Sequence, residues 1–256
     1  MLTLITGASG GIGEALAREL AARPSDLILV ARSADKLQAL ADELARAHRI
    51  KAHVVAVDLA QPGAAARVAD AARAIGRVDV LVNNAGFATF GPFASSDLAV
   101  EIDEIRLNVE TLTDLTKRML PDLLAAKGKI LNVASTAAFQ PGPVMAVYYA
   151  TKAYVLSFSE ALAFELKPSG VGVTCLCPGP TKTGFQARAH QEGVRLLEVG
   201  LMDAAVVARA GVNGLFRGRA VVVPGFMNRI GVWVVRFSPR RAVLWTINWL
   251  HQTRGR

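Results

Sequence analysis

Short β-branched and aliphatic runs alternate along most of the chain with longer Ala-, Leu-, Glu- and Arg-rich segments whose apolar positions recur at helical spacing. A short apolar run suits a strand buried on both faces, and an amphipathic segment suits a crossover helix. The alternation therefore predicts repeated βαβ units and an α/β, doubly wound, seven-stranded and mainly parallel sheet with helices on both faces. The strands are expected at Leu2–Thr6, Leu27–Val30, Lys51–Val57, Val78–Asn83, Lys129–Val133, Val171–Cys177 and Arg219–Val223. Helices are expected at Gly13–Ala22, Ala34–Ala47, Ala65–Ala74 and Tyr148–Leu166, the last stopped by Pro168-Ser-Gly.

Composition narrows the class. With 256 residues, 52% of them hydrophobic and 20% charged, the chain is neither disordered nor fibrous and suits one globular domain or a domain with a modest appendage. Cys175 and Cys177 are too few for a disulfide framework and read as part of a buried strand in a reducing compartment. The four histidines, His48, His53, His190 and His251, lack the spacing of a structural zinc site, so no metal is assigned. The N-terminus shows no basic segment of a secretory signal, which points to the cytoplasm. Ile230–Val235 and Ala242–Leu250 fall short of the roughly 18 apolar residues of a membrane span.

The net charge of +8 is unevenly placed. Phe226–Arg256 carries six arginines (Arg229, Arg236, Arg240, Arg241, Arg254 and Arg256) with no acid or lysine, which leaves only +2 for the rest. With the body nearly balanced and no reading motif, nucleic-acid binding is not expected. Trp233, Trp245 and Trp249 also lie in this tail and are all the tryptophans of the chain. Residues 1–225 are accordingly expected to form the catalytic domain and residues 226–256 a basic, amphipathic helical extension.

After the first strand comes Thr6-Gly7-Ala8-Ser9-Gly10-Gly11-Ile12-Gly13, followed at once by a helical segment. Glycines let a backbone turn tightly and approach a pyrophosphate while the N–H groups of the helix end face the anion. In the first βα turn of a parallel alternation, this is a dinucleotide site rather than a mere tight turn. Asp58-Leu59 closes the third strand, and Asn83-Asn84-Ala85-Gly86 closes the fourth. Asn108 lies in the next helix, Ser135 follows the fifth strand, Tyr148-Tyr-Ala-Thr-Lys152 opens a helix, and Pro178-Gly179 closes the sixth strand.

In its Thr-Gly-x-x-x-Gly-x-Gly turn and in the order of these motifs, the sequence resembles the short-chain dehydrogenase/reductase family over residues 1 to about 225. The resemblance implies a Rossmann-like fold and cofactor contacts from Gly7, Ser9, Gly10, Gly11, Ile12, Gly13, Asp58, Leu59, Asn84, Ala85 and Gly86. It places Asn83 beside the adenosine and the central strand, with Pro178, Gly179, Thr181 and Thr183 toward the nicotinamide end. It also implies a homodimer or homotetramer paired through the helices around Asn108 and Tyr148.

The second strand ends Val30-Ala31-Arg32-Ser33, with no acid for a ribose 2′-hydroxyl. An arginine and a hydroxyl there suit a 2′-phosphate, which favours NADP(H) over NAD; on its own, Arg32 reads as a solvated residue at a strand end.

Reduction of a carbonyl leaves an oxyanion that needs a proton. Tyr148 can supply it, and Lys152, one turn on, can stabilise the phenolate and bind the cofactor ribose. Ser135 can polarise the carbonyl, with Thr136 as the neighbouring alternative. By resemblance Asn108 holds a water that links Lys152 to solvent, whereas its helical position alone suits a kink or cap. Tyr149 and Tyr154 lack a lysine four residues on and are read as packing or site wall. The function implied is an NADP(H)-dependent interconversion of a carbonyl and an alcohol. The alternative is an NADP(H)-binding sensor or membrane-surface protein without turnover; a nucleotide-sugar enzyme would carry a longer substrate domain.

Thr181–Met202 is a long connection suited to a lid, with Phe185, Leu196, Leu197, Val199, Leu201 and Met202. Phe87, Phe90, Phe93 and Phe139 flank other loops at the same end. These suit a small apolar acyl, steroid-like or aromatic ketone, or else simply fill the core. In the tail, Phe226, Ile230, Trp233, Val234 and Phe237 recur at helical spacing before Pro239, and Arg240–Leu250 begins a second helical segment. The apolar stripe suits either a packed or dimeric helix pair or a peripheral membrane contact, and the packed or dimeric arrangement is the one expected first.

Overall fold

In the computed structural model, residues 1–185, 194–195 and 200–252 are described. The strands are β1 (Leu2–Thr6), β2 (Asp26–Ala31), β3 (Ala52–Ala56), β4 (Val80–Asn83), β5 (Lys129–Val133), β6 (Gly172–Leu176) and β7 (Val221–Val222). Every pair is parallel, so the sheet is parallel throughout and not merely in the main, in the order β3-β2-β1-β4-β5-β6-β7. The helices among the described residues are α1 (Gly11–Ala21), α2 (Ala34–His48), α3 (Ala64–Ile75), α4 (Leu98–Ile105), α5 (Leu112–Ala126), α6 (Ala146–Glu165), α7 (Ala204–Phe216), α8 (Phe226–Phe237) and α9 (Arg240–His251).

The period-two alternation within each strand divides the core. Ile5, Leu27 and Leu29 pack toward α1, α2 and α7, while Leu4, Ile28 and Val30 pack toward α3 and α5. Full burial on both faces explains why these strands read as continuous apolar runs. Several strands are shorter than the apolar runs suggest, because the ladder ends before the apolar stretch does. β7 is the extreme case, an edge strand that meets β6 only at Cys175↔Val221 and Leu176↔Val222. Cys175 and Cys177 are buried free thiols with their sulfurs 3.7 Å apart.

The helix α7 was not singled out by periodicity. Its Gly211 lies against β6, where a Cβ would come within 2.7 Å of Leu176 Cδ2, so small residues let this helix sit close to the sheet. Between α4 and α5 the helix widens into a π-type turn over Arg106–Thr111, which carries Asn108. Strand order reverses between β1 and β4, and the crevice this opens at the carboxyl ends of the strands is where ligands bind in open parallel sheets. The tail forms two helices, as its spacing suggests. No helix among the described residues is long and apolar enough to cross a membrane.

Candidate active site

An open cavity of about 1600 Å³ extends from the switch point toward α8 and α9. That exceeds the usual size of a pocket for one small molecule and leaves room for a dinucleotide beside a substrate. Gly7, Ser9, Gly10, Gly11, Ile12 and Gly13 line one end; Arg32, Ser33, Asp58 and Leu59 line its side. Asn84, Ala85, Gly86, Ser135, Tyr148, Lys152, Pro178, Gly179, Thr181 and Thr183 complete the lining among the residues expected from the sequence.

Close packing shapes the glycine turn. A Cβ on Gly13 would lie 2.1 Å from Gly7 O, so α1 can start here only on a glycine. Gly10 is different, because a Cβ there would meet nothing within 4 Å. Protein packing does not require that glycine, whereas a phosphate held against the backbone of a helix N-terminus would. Asn84 secures the turn from β4, donating through Nδ2 to Thr6 O at 2.9 Å and Gly7 O at 3.2 Å. The cradle therefore fits a dinucleotide pyrophosphate.

At the end of β2, the Arg32 side chain is 71% exposed and approaches Asp58 only to 4.0 Å, leaving its guanidinium at the cavity rim. Lys36 lines the same rim, a second cation that the strand-end pattern did not single out. Asp58 Oδ1 also accepts from Ala60 N at 3.0 Å and so shapes the turn after β3.

Asn83 departs from its expected place. It is buried between strands, donating through Nδ2 to Asn132 Oδ1 and Thr116 Oγ1, both at 2.9 Å, and it is not part of the cavity lining. Its role in the central sheet holds, and its place beside an adenosine does not.

Ser135, Tyr148 and Lys152 come together on one wall. The Lys152 ammonium donates to Val133 O at 3.0 Å and lies 5.7 Å from the centre of the Tyr148 ring. Burial pushes the Tyr148 phenol well above its ordinary value, opposed by a hydrogen bond from Ser135, while the Glu104 carboxylate raises it further. Burial lowers Lys152 to about 8, with Cys175, Glu104 and Cys177 acting in the other direction. Ser135 Oγ also accepts from Ala137 N at 3.1 Å, which orients the hydroxyl at the end of β5. Thr136 lies on the cavity wall beside it.

Asn108 is buried behind this group, and protein atoms occupy its amide. Nδ2 donates to Phe87 O at 3.0 Å and Thr151 Oγ1 at 3.1 Å, while Oδ1 accepts from Phe87 N at 3.2 Å. It ties the loop after β4 to α6, and a Cβ on Gly86 would come within 2.8 Å of its Oδ1. Two buried acids lie nearby on α4. Thr89 Oγ1 is 2.9 Å from Glu104 Oε2 and 3.1 Å from each carboxylate oxygen of Glu101, and Thr89 N donates to Glu104 Oε2 at 2.9 Å. One hydroxyl proton cannot serve two carboxylates. Burial raises Glu104 to about 7, so it holds a proton through much of the neutral range.

Residues 2–193 match the short chain dehydrogenase family. The chain belongs to that family. Across 93% of its length, this short-chain dehydrogenase is 35% identical over 244 residues to the 11-beta-hydroxysteroid dehydrogenase-like protein 4A of Arabidopsis thaliana, covering 81% of that protein. It is 38% identical over 188 residues to sulfoacetaldehyde reductase 2 of Chromohalobacter salexigens, covering 72% of this chain and 74% of that one. Among solved structures, a short-chain dehydrogenase of Sphingobium yanoikuyae in complex with NADPH superposes with a TM-score of 0.82 at 34% identity, covering 91% of each chain. A structure concerned with 7beta-hydroxysteroid dehydrogenase stereoselectivity gives a TM-score of 0.87 at 25% identity over 96% of each chain.

The mouth of the dehydrogenase's cavity is where sequence reasoning missed most. Tyr149 OH lies 3.0 Å from His251 Nε2, and His251 Nδ1 lies 2.8 Å from Pro143 O. A carbonyl only accepts, so Nδ1 carries the proton and Nε2 accepts from the tyrosine. His251, Ile247 and Val243 anchor α9 against Tyr149, Met145 and Phe90. Asn228 on α8 packs on the Pro178-Gly179 turn, where a Cβ on Gly179 would meet its Oδ1 at 2.4 Å. No local spacing signals these contacts.

The expected apolar ring divides. Phe87, Phe185 and Met202 line the cavity; Phe90 packs on His251; Phe139 packs in the core near Cys175; Phe93 points outward. Tyr149 is a site wall, whereas Tyr154 stacks on Phe158 and bonds Thr113 on the outer side of α6. Leu196, Leu197 and Val199 lie outside the described residues, as do Arg254, Arg256 and His190.

Proposed function

We propose that the protein is an NADP(H)-dependent oxidoreductase that interconverts a carbonyl and a secondary alcohol on a small, apolar substrate. The observation that carries this reading is the convergence of Ser135, Tyr148 and Lys152 on a wall of the cavity headed by the glycine cradle. The named relatives, one of them solved with NADPH, favour the same chemistry and cofactor.

When bound, NADPH supplies the hydride. The Ser135 hydroxyl orients the substrate oxygen by donating to it, and Tyr148 delivers the phenolic proton as negative charge develops there. The Lys152 ammonium stabilises the resulting phenolate and offers its remaining protons to the cofactor ribose. Asn108 fixes α6 and the Gly86 turn relative to each other and so sets the position of both groups. Arg32, with Ser33 and Lys36, would hold the 2′-phosphate at the rim, while the backbone from Ser9 to Gly13 would hold the pyrophosphate. Asp58 and Leu59 would border the adenine, and Thr181 and Thr183 the nicotinamide end, with Ala85 and Gly86 lining the cavity between them.

Phe185, Met202 and Val235 give the substrate end an apolar lining, which supports an acyl, steroid-like or aromatic ketone. Exposed Leu98, Ile102, Ile105 and Phe164 on α4 and α6 support a homo-oligomer paired across those helices, with peripheral membrane contact left to the C-terminal helices.

The test is titration with NADPH and NADH, followed by turnover on a panel of apolar ketones with Tyr148→Phe as control. NADPH-dependent turnover that falls on the order of 100-fold or more in the variant supports the reading. Tight cofactor binding with no turnover across the panel favours a binding protein, and binding of neither cofactor overturns the reading.

A further inference from the structure

The helix α8 has two apolar faces. Asn228, Gly231, Val232 and Val235 look into the cavity. On the opposite side Ile230, Trp233 and Phe237 form an outward stripe at i, i+3 and i+7, with exposures of 40, 61 and 76%, while Phe226 stands exposed at the cavity rim where the helix begins. Trp233 and Phe237 stack there at 5.8 Å. The next helix repeats the arrangement, burying Val243, Ile247 and His251 while Trp245 and Trp249 stand 78 and 54% exposed. Exposed apolar stripes of this kind mark an interaction site.

The charges favour one occupant. Arg229 and Arg236 lie together on one flank of the α8 stripe, Arg240 and Arg241 open α9, and residues 226–256 contain no acid. A second copy paired through these helices about a two-fold axis would bring arginines toward arginines with no acid within residues 226–256 to offset them. An anionic bilayer instead supplies phosphates for the arginines, an interface for the tryptophans and acyl chains for the stripe.

We propose that α8 and α9 dock the protein on the surface of an anionic membrane, with Ile230, Trp233 and Phe237 entering the headgroup–acyl boundary and the arginines on the headgroup phosphates. Because α8 forms a cavity wall with its other face, docking sets the cavity mouth against the bilayer, where an apolar carbonyl compound is concentrated. That consequence rests on the proposed oxidoreductase reading; the docking itself rests on the outer face alone.

The test is flotation of the full chain with vesicles of phosphatidylcholine, alone or mixed with phosphatidylserine, at low and high salt. Since every tryptophan of the chain lies in these two helices, their fluorescence reports insertion directly. The expected result is flotation and a blue shift with the phosphatidylserine vesicles, reduced by salt. The outward pair Trp233→Glu/Phe237→Glu should abolish both, and Arg229→Glu/Arg236→Glu should weaken binding on the order of tenfold or more. NADPH titration of the same variants should match the unmodified chain, which separates lost docking from lost folding. No flotation with phosphatidylserine vesicles at low salt overturns the proposal, as does flotation unaffected by the Trp233/Phe237 pair. A dimer that the same pair dissolves, with no vesicle binding, assigns the face to a second copy instead. Vesicle binding without turnover on any ketone leaves docking standing and counts against the oxidoreductase reading; turnover without vesicle binding does the reverse.

Discussion

At the nucleotide end of the cavity the walls are largely backbone, whereas at the mouth they are side chains drawn from distant parts of the chain. The glycine cradle is a local object: Thr6 to Gly13 bend over one turn, and Asn84 pins the result from the neighbouring strand. The mouth depends on Tyr149 meeting His251, 102 residues away, and on Asn228 resting against the Pro178-Gly179 turn. A backbone wall presents one fixed shape, whereas side chains at the mouth can change without disturbing the sheet.

The largest expected effects separate packing from binding within the cradle. Gly13→Ala would place a methyl 2.1 Å from Gly7 O, a backbone atom that cannot move without shifting β1 or α1. A loss of about 3 kcal/mol in urea unfolding is expected. Gly10→Ala meets no protein atom within 4 Å, so its unfolding curve should hardly change while NADPH binding is lost. Wild-type NADPH affinity in Gly10→Ala would show that the phosphates lie elsewhere.

That contrast also explains what could be read from the chain alone. The strands, the glycine turn and the Tyr148/Lys152 pair were legible because each is a local pattern: buried parallel strands are apolar runs, and residues four apart share a helix face. Asn83 was misplaced because a strand-end amide has the same sequence signature whether it faces a ligand or a neighbouring strand. The Tyr149–His251 contact was not legible because a histidine in a basic tail carries no sign of where that tail packs. The widened helical turn at Asn108 was likewise hidden, since it changes hydrogen bonding without changing the apolar spacing.

Next in size is the rim. Arg32→Glu should weaken NADPH binding by about 10- to 100-fold, the worth of a hydrogen bond to a charged group, and leave NADH binding nearly unchanged. Because the Arg32 side chain is 71% exposed, thermal stability should not move. Equal losses for both cofactors would show that Arg32 does not select the 2′-phosphate.

At the mouth the expected effects are smaller. His251→Ala removes one buried hydrogen bond to Tyr149 and one to Pro143, and a loss of about 1 to 2 kcal/mol is expected, with NADPH affinity retained. Burial lowers His251 below its ordinary 6.5, so the folded protein resists taking up a proton that the unfolded chain accepts. Stability should therefore decline as pH falls through about 6.5, and His251→Ala should flatten that slope in melting curves. A cofactor-binding loss as large as the stability loss would mean that the two ends of the cavity are mechanically one.

The finest test lies between them, at Glu104, buried on α4 near the wall of Ser135, Tyr148 and Lys152. Its carboxyl is raised from 4.5 to about 7, so between those values the folded chain holds a proton that the unfolded chain has released. Stability then falls as pH rises through that window, and Glu104→Gln, which cannot ionise, should remove the slope. The same substitution should act on turnover with the sign set by charge. Ionised Glu104 raises both Tyr148 and Lys152, so its removal lowers both and should move the alkaline limb of ketone reduction toward lower pH. A purely structural role would lower the rate at every pH alike. A displaced limb with unchanged KM would instead show that Glu104 acts through the charge balance of Tyr148 and Lys152, coupling the loop after β4 to the proton that reduction consumes.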